Sequence, residues 1–139
     1  MLSHISLYVS DLEASLKFYT AFLGQEPTKV KPKYGKFNLE DPQLVLSLVE
    51  NPERAQKDFG HLGIVVEDTA AVDSWMNTAQ SRGVEIALIE QGTNCCYAKQ
   101  DKFWVKDPDG VQWEIYTFHE DSEWNDPHAE VAPSACCPG

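Results

Sequence analysis

His4-Ile5-Ser6-Leu7-Tyr8-Val9-Ser10-Asp11 and His61-Leu62-Gly63-Ile64-Val65-Val66-Glu67-Asp68 align His on His and Asp on Asp. Each segment has apolar residues at its centre and an acidic turn at its end, the pattern of a strand, and helical periodicity follows it. After the first, Leu12, Leu16, Tyr19 and Leu23 form an apolar stripe, with Asp11 placed to cap the helix and Gly24 to stop it. After the second, Val72, Trp75, Met76 and Ala79 take the same part and Gly83 closes the helix. Trp75 and Met76 read as core.

The rest of the chain repeats as well. Residues 35–42 run through Asp41-Pro42 into the apolar stretch 44–48, and residues 102–110 run through Asp107-Pro108-Asp109-Gly110 into 111–116. Both are strand-turn-strand units, the second with an Asp-Gly turn. Strands expected around 28–30 and 85–89 complete two βαβββ modules, which makes the fold α+β. Module one covers 1–50, a polar linker 51–60, and module two 61–118; residues 119–139 are acidic, contain Pro127, Pro133 and Pro138, and read as a mobile tail.

The chain has 139 residues, enough for one domain with a hydrophobic core. Eleven Lys and Arg stand against 22 Asp and Glu, a net charge of -11 that repels phosphate backbones and anionic lipid heads. Nucleic acid and membrane surfaces are therefore excluded as expected partners. With 42% hydrophobic residues the acidity does not signal disorder. Apolar runs are strand-sized and no secretory signal is legible, so a cytoplasmic location is expected. The four cysteines fall as two adjacent pairs, Cys95-Cys96 and Cys136-Cys137, a poor disulfide framework, since a bridge between neighbours requires a strained ring.

His4 and His61 open matching strands, and Glu114 lies between Trp113 and Ile115, where burying an unpaired carboxylate is costly. If the modules bring these residues together, two imidazoles and a carboxylate form the facial triad of non-heme Fe(II), a set that Zn, Mn or Ni also accepts. Singly, each of the three reads more readily as a satisfied structural residue; the duplication, which puts His4 and His61 at related positions, is what favours a site. Cys95 and Cys96 lie in a loop entering a strand, and two thiolates there attract trivalent arsenic or antimony, Cd or Zn. A buried small hydrophobe beside an incidental one is the plain alternative. Lys99 and Lys102 are near enough in sequence to favour thiolate. Cys136 and Cys137 are either idle or a capture site that passes a thiophilic species inward. Lys29, Lys31, Lys33 and Lys36 around Tyr34 read as a solvated face.

The duplicated His-led modules, with Asp11-Leu12-Glu13-Ala14-Ser15-Leu16-Lys17-Phe18-Tyr19 after the first strand and Asp107-Pro108-Asp109-Gly110 before Glu114, resemble the vicinal oxygen chelate superfamily of glyoxalases, extradiol dioxygenases and bleomycin or fosfomycin resistance proteins. The resemblance spans residues 1 to about 118. A more specific one lies in Asn94-Cys95-Cys96-Tyr97-Ala98-Lys99-Gln100-Asp101-Lys102-Phe103-Trp104-Val105, which is similar to the organoarsenical carbon–arsenic lyase family, arsenic-resistance enzymes whose relatives are often labelled cadmium-induced. It implies that Cys95 and Cys96 hold trivalent arsenic and that His61 and Glu114 ligate iron. The family has Gln or His at the first ligand position; here it is His4. The implied reaction is an Fe(II)- and dioxygen-dependent cleavage of trivalent organoarsenicals such as methylarsenite, releasing arsenite, with Ni or Zn able to replace the iron in purified protein. Tyr97, Lys99 and Lys102 are candidates to shape the pocket. Such folds pair their modules within one chain or exchange them across a homodimer, which decides whether the three ligands meet in cis or in trans. The rival readings are a Cd or arsenic sequestration protein without turnover, and a glyoxalase-like isomerase or thiol transferase.

Overall fold

The computed structural model describes residues 1–95 and 98–118; for residues 91–95, 98–100 and 118 the description covers the backbone alone. Strand β1 (Ser3–Val9) leads into helix α1 (Leu12–Leu23), then β2 (Lys29–Lys31), β3 (Tyr34–Leu39) and β4 (Leu44–Glu50). The series repeats as β5 (His61–Val65), α2 (Thr69–Ser81), β6 (Leu88–Cys95), β7 (Ala98–Lys106) and β8 (Gln112–Phe118). The sheets run β1-β4-β3-β2 and β5-β8-β7-β6. In each, the first and last strands of the module pair in parallel and the others antiparallel.

Both helices start where the acidic turns place them. Asp11 and Asp68 accept backbone N–H bonds from Ala14 and Ala71, satisfying donors that a helix start otherwise leaves free. Gly24 ends α1 in the left-handed region at φ 70°, where a side chain would be strained. The buried face of α1 is Leu12, Ser15, Tyr19 and Phe22, so Phe22 and Ser15 carry more of the contact than Leu16 and Leu23 do.

Two expected strands are corrected. The strand expected at 28–30 lies at Lys29–Lys31, and the one expected at 85–89 begins at Leu88 and runs to Cys95. Val84 and Ile86 face inward while Glu85 and Ala87 face out, an alternation that mimics a strand. A strand also needs a ladder, and the pairing of β6 with β7 starts only at Leu88 opposite Trp104. Cys95 is likewise the last residue of β6, paired with Ala98, and not part of a loop entering a strand.

The core joins the modules through their helices. Tyr19 of α1 packs against Phe37 of the first sheet and Trp113 of the second, and Phe22 packs against Trp113 and Trp75. The Trp75 indole donates to the carbonyl of Phe22 at 2.9 Å. α1 lies on β3 and β4 and α2 on β7 and β8, and because α1 also reaches Trp113 of the second sheet, the helices lie between the sheets. Strand side chains alternate, so residues neighbouring Trp113 or Leu46 in sequence face the other way, on the outer face of each sheet.

A buried polar chain ties this core together. The Tyr19 hydroxyl donates to Asp107 at 2.6 Å and accepts from the Trp113 indole at 3.0 Å, while Asp107 also accepts the N–H groups of Asp109 and Val111. Burial raises the Asp107 carboxyl above its ordinary 3.8, against the lowering effect of these donors. The folded state therefore holds this proton more tightly than the unfolded chain does. Asp107's contribution to stability is full below pH 3.8 and declines as pH climbs through the raised value. We expect Tyr19→Phe to destabilise the fold by about 2–3 kcal/mol, because it leaves the Trp113 indole N–H without its acceptor and Asp107 Oδ2 without the hydroxyl donor. Denaturation should give a larger loss at pH 7 than at pH 4, since the hydroxyl's bond favours the charged carboxylate.

Candidate metal centre

His61 and Glu114 meet on the outer face of the second sheet. β5 and β8 run parallel with His61 opposite Gln112 and Gly63 opposite Glu114, so the histidine and the carboxylate project from neighbouring strands on one face. His61 Nε2 lies 3.2 Å from Glu114 Oε2; the imidazole is half exposed and the carboxylate nearly buried. Lys102 Nζ approaches the same oxygen at 3.9 Å and lies over the Trp104 and Tyr116 rings, 5.6 and 5.4 Å from their centroids. The edge of Trp104 meets His61, and its indole N–H donates to Glu90. The result is an imidazole–carboxylate pair beside an aromatic wall, open on the histidine side.

His4 does not join them. It projects from β1 on the first sheet, where its Nε2 is 3.1 Å from Ser47 Oγ, with the Tyr34 hydroxyl 3.4 Å from the same oxygen. Among the described residues no group of three or more His, Cys, Asp or Glu side chains is assembled within one chain. Of the other sequence candidates, Lys99 lies in β7 and Cys95 at the end of β6, both described by backbone only. Cys96, Tyr97, Cys136 and Cys137 lie outside the described residues, as does the tail beyond 118.

Donor chemistry at His61 and Glu114 fits a borderline divalent cation such as Fe(II) or Zn(II), one imidazole and one carboxylate with hydrogen-bonding reach between them. Two protein ligands are fewer than the three that hold a catalytic metal, so a third must come from elsewhere.

Strand register reveals residues the sequence reading missed. His4 pairs with Val45 as His61 pairs with Gln112, which makes Ser47 the counterpart of Glu114. Tyr34 pairs with Val49 as Lys102 pairs with Tyr116, which makes Tyr34 the counterpart of Lys102. The duplication thus extends from two histidines to two three-membered polar clusters. Gly63 was also missed. A Cβ there would stand 3.0 Å from Glu114 Cγ, so a larger residue at this position requires the carboxylate stem to shift. A signal was available, since Ser6 and Gly63 are the small residues two positions after each repeated His. We expect Gly63→Val to push Glu114 aside and lower affinity for Zn(II) or Co(II) by roughly 10–100-fold, as disturbing a ligand's support does. Competition with a chromophoric chelator measures it, and thermal unfolding checks that the variant folds.

Among the described residues no helix is long and apolar enough to cross a membrane. The family model of the Glyoxalase/Bleomycin resistance protein/Dioxygenase superfamily matches residues 1–115. The chain is 42% identical over 135 residues to a "Trivalent organoarsenical cleaving enzyme" of Bacillus sp. (strain MD1), covering 97% of this chain and 81% of that protein. It is 38% identical over 141 residues to the "Cadmium-induced protein CadI" of Mycobacterium tuberculosis (strain ATCC 25618 / H37Rv), covering 97% and 91%. Among solved structures, a glyoxalase / bleomycin resistance protein from Catenulispora acidiphila DSM 44928 superimposes with a TM-score of 0.66 at 31% identity, covering 84% of this chain and 98% of that one. With its duplicated βαβββ modules and a match spanning both, the chain belongs to the glyoxalase/bleomycin resistance protein/dioxygenase superfamily.

Proposed function

We propose that this protein cleaves the carbon–arsenic bond of trivalent organoarsenicals such as methylarsenite, with dioxygen as co-substrate and Fe(II) held by His4, His61 and Glu114. The observation that carries the reading is the His61–Glu114 pair at 3.2 Å on an aromatic-walled sheet face, with a register-equivalent histidine on the other module. Similarity to the organoarsenical cleaving enzyme of Bacillus sp. supports the substrate class.

His4 faces outward from one sheet and His61 with Glu114 from the other, so one copy's His4 completes a second copy's pair. A two-fold dimer makes two such sites, each drawing on both chains. Cys95 and Cys96 bind trivalent arsenic through their thiolates and fix the carbon–arsenic bond beside the metal face, which converts an encounter into an oriented reaction. Trp104 and Tyr116 would restrict water beside His61 and Glu114, the residues that would hold the metal, and Lys102 offsets the negative charge of Glu114. Iron supplies the one-electron chemistry with dioxygen that side chains lack. The atoms balance: one methylarsenite, as the free acid, and one dioxygen yield one arsenite, likewise as the acid, and one formaldehyde, the carbon being oxidised and dioxygen reduced.

The test is anaerobic reconstitution with Fe(II), then dioxygen uptake and arsenite release with methylarsenite. Equal uptake and release supports the reading. Tight arsenic binding without cleavage at verified iron loading overturns it in favour of sequestration. Shared assembly is tested by mixing His4→Ala with Glu114→Ala chains after unfolding and refolding them together. A heterodimer then holds one intact site and one doubly defective site, so random pairing restores about a quarter of wild-type activity. If the sites were built in cis, no activity would return.

A further inference from the structure

Lys29, Lys31 and Lys36 share the outer face of the first sheet with His4 and Ser47. Lys29 pairs with Lys36 and Lys36 with Ser47, while Lys31 pairs with Tyr34, so the three lysines and the polar cluster stand on one side of the pleat. Gly35, Phe37 and Leu39, the alternate residues of β3, are buried on the other side. Lys29 and Lys31 are exposed and Lys36 is half-buried, and the exposed Lys33 adds a fourth ammonium in the turn between β2 and β3. Among the described residues none of the four has a carboxylate within ion-pair distance. In a chain of net charge -11 this is an unmatched strip of positive charge. The duplication shows that the sheet does not require it. Register makes Leu88, Glu90 and Trp104 the counterparts of Lys29, Lys31 and Lys36, because Leu88 pairs with Trp104, Glu90 with Lys102 and Trp104 with Glu114. There the same positions hold two apolar side chains and an acid, with the Trp104 indole donating to Glu90. Like charges directly opposite one another, as at Lys29 and Lys36, cost stability, so the strip is kept in the first module against the interest of the sheet.

We propose that this lysine strip is the docking site of the chain's own C-terminal segment, residues 119–139, and that docking brings Cys136 and Cys137 to the His4 side of the first sheet. Charge complementarity selects the occupant. Residues 120–130 carry Glu120, Asp121, Glu123, Asp126 and Glu130, and no Lys or Arg follows Lys106. Tethering raises the local concentration to roughly the millimolar range, so a few exposed ion pairs, each weak by itself, suffice to hold the segment. The reach is sufficient. Glu130 lies twelve residues beyond Phe118, up to about 40 Å of extended chain, whereas a domain of this length has a radius of gyration of about 14 Å. From β2 to β1 there are three strand spacings, roughly 14 Å, and the six residues from Glu130 to Cys136 span up to about 20 Å. A segment anchored by its acids on β2 and β3 therefore carries both thiols as far as His4. Two thiolates so placed form a site for a soft centre such as trivalent arsenic or Cd. Docking itself needs neither the metal nor the reaction proposed above.

The experiment places a nitroxide on Cys137 of the full chain, in a Cys95→Ser/Cys96→Ser/Cys136→Ser background, and compares backbone amide NMR intensities with those of the reduced, diamagnetic form. At low salt the amides of β1, β2 and β4 should lose most of their intensity. That loss should disappear in Lys29→Gln/Lys31→Gln/Lys36→Gln, and also in about 0.5 M salt, where screening confines charge interactions to a few ångströms. The amide spectrum itself shows whether each variant folds. If the lysine variant does not, Glu120→Gln/Asp121→Asn/Glu123→Gln/Asp126→Asn/Glu130→Gln, which alters no residue of the two sheets, decides in its place. No loss of intensity with the lysines intact would overturn the proposal, as would an equal loss once they are replaced. Loss confined to the second sheet would do the same. If the lysine amides shift on adding inorganic phosphate while the nitroxide broadens nothing, the strip takes a free anion and the proposal is wrong. Broadening that vanishes when the chain is diluted about tenfold into unlabelled, nitroxide-free protein would assign the contact to a second copy and overturn docking within the chain.

Discussion

Glu114→Ala is expected to remove metal binding and turnover together while leaving the chain folded. Losing even an outer partner of a ligand costs roughly 10–100-fold in metal affinity, and loss of the only carboxylate in the proposed set should exceed about 100-fold. The side chain is nearly buried, opposite Gly63 and within reach of His61 and Lys102. Truncation therefore also leaves the Lys102 ammonium without its carboxylate, though still over the Trp104 and Tyr116 rings. Glu114→Gln separates the two effects, since it keeps the volume and a carbonyl oxygen but lacks the charge that binds a cation. We expect both variants to lose Zn(II) in chelator competition and only Glu114→Ala to lose measurable thermal stability. Full metal loading of either would remove Glu114 from the site.

The converse result is expected from Cys95→Ser/Cys96→Ser, which should keep its metal and lose at least about three orders of magnitude in arsenite release, because the reaction reverts to a bimolecular encounter with unheld substrate. Cys95 closes β6, the strand at the far edge of the second sheet, while His61 and Glu114 stand on β5 and β8 at its other side. Replacing the thiols therefore leaves the metal pair's support untouched. Metal content by emission spectroscopy and arsenite release by chromatography read the two properties separately. Turnover that survives the double replacement would favour a reaction of the glyoxalase or thiol transferase kind, which needs the metal scaffold but no vicinal thiols.

These expectations draw on different levels of the molecule. The repeated His-to-Asp segments determined two β-strands and two capped helices directly, because an eight-residue pattern of alternation ended by a carboxylate cap is a local property. The same is true of the strand-turn-strand units closed by Asp41-Pro42 and Asp107-Pro108-Asp109-Gly110, both found as β3-β4 and β7-β8. Periodicity overreached at 85–87, where the side chains alternate in and out but the ladder to β7 begins only with the Ala87 N–H bond to the Trp104 carbonyl and the Leu88–Trp104 pair.

The sequence also placed His4, His61 and Glu114 at strand positions that share a face within their modules. It had no means to say which faces meet. That was decided by α1, whose Tyr19 and Phe22 bury against Trp113 of the opposite sheet and so put both helices inside and both polar clusters outside. Ser47, Tyr34 and Gly63 became visible only through register, because their meaning lies in what each stands opposite across a strand pair. Alternation along one strand is written in the sequence next to it; pairing between strands is set by contacts tens of residues apart, and those the folded chain alone supplies.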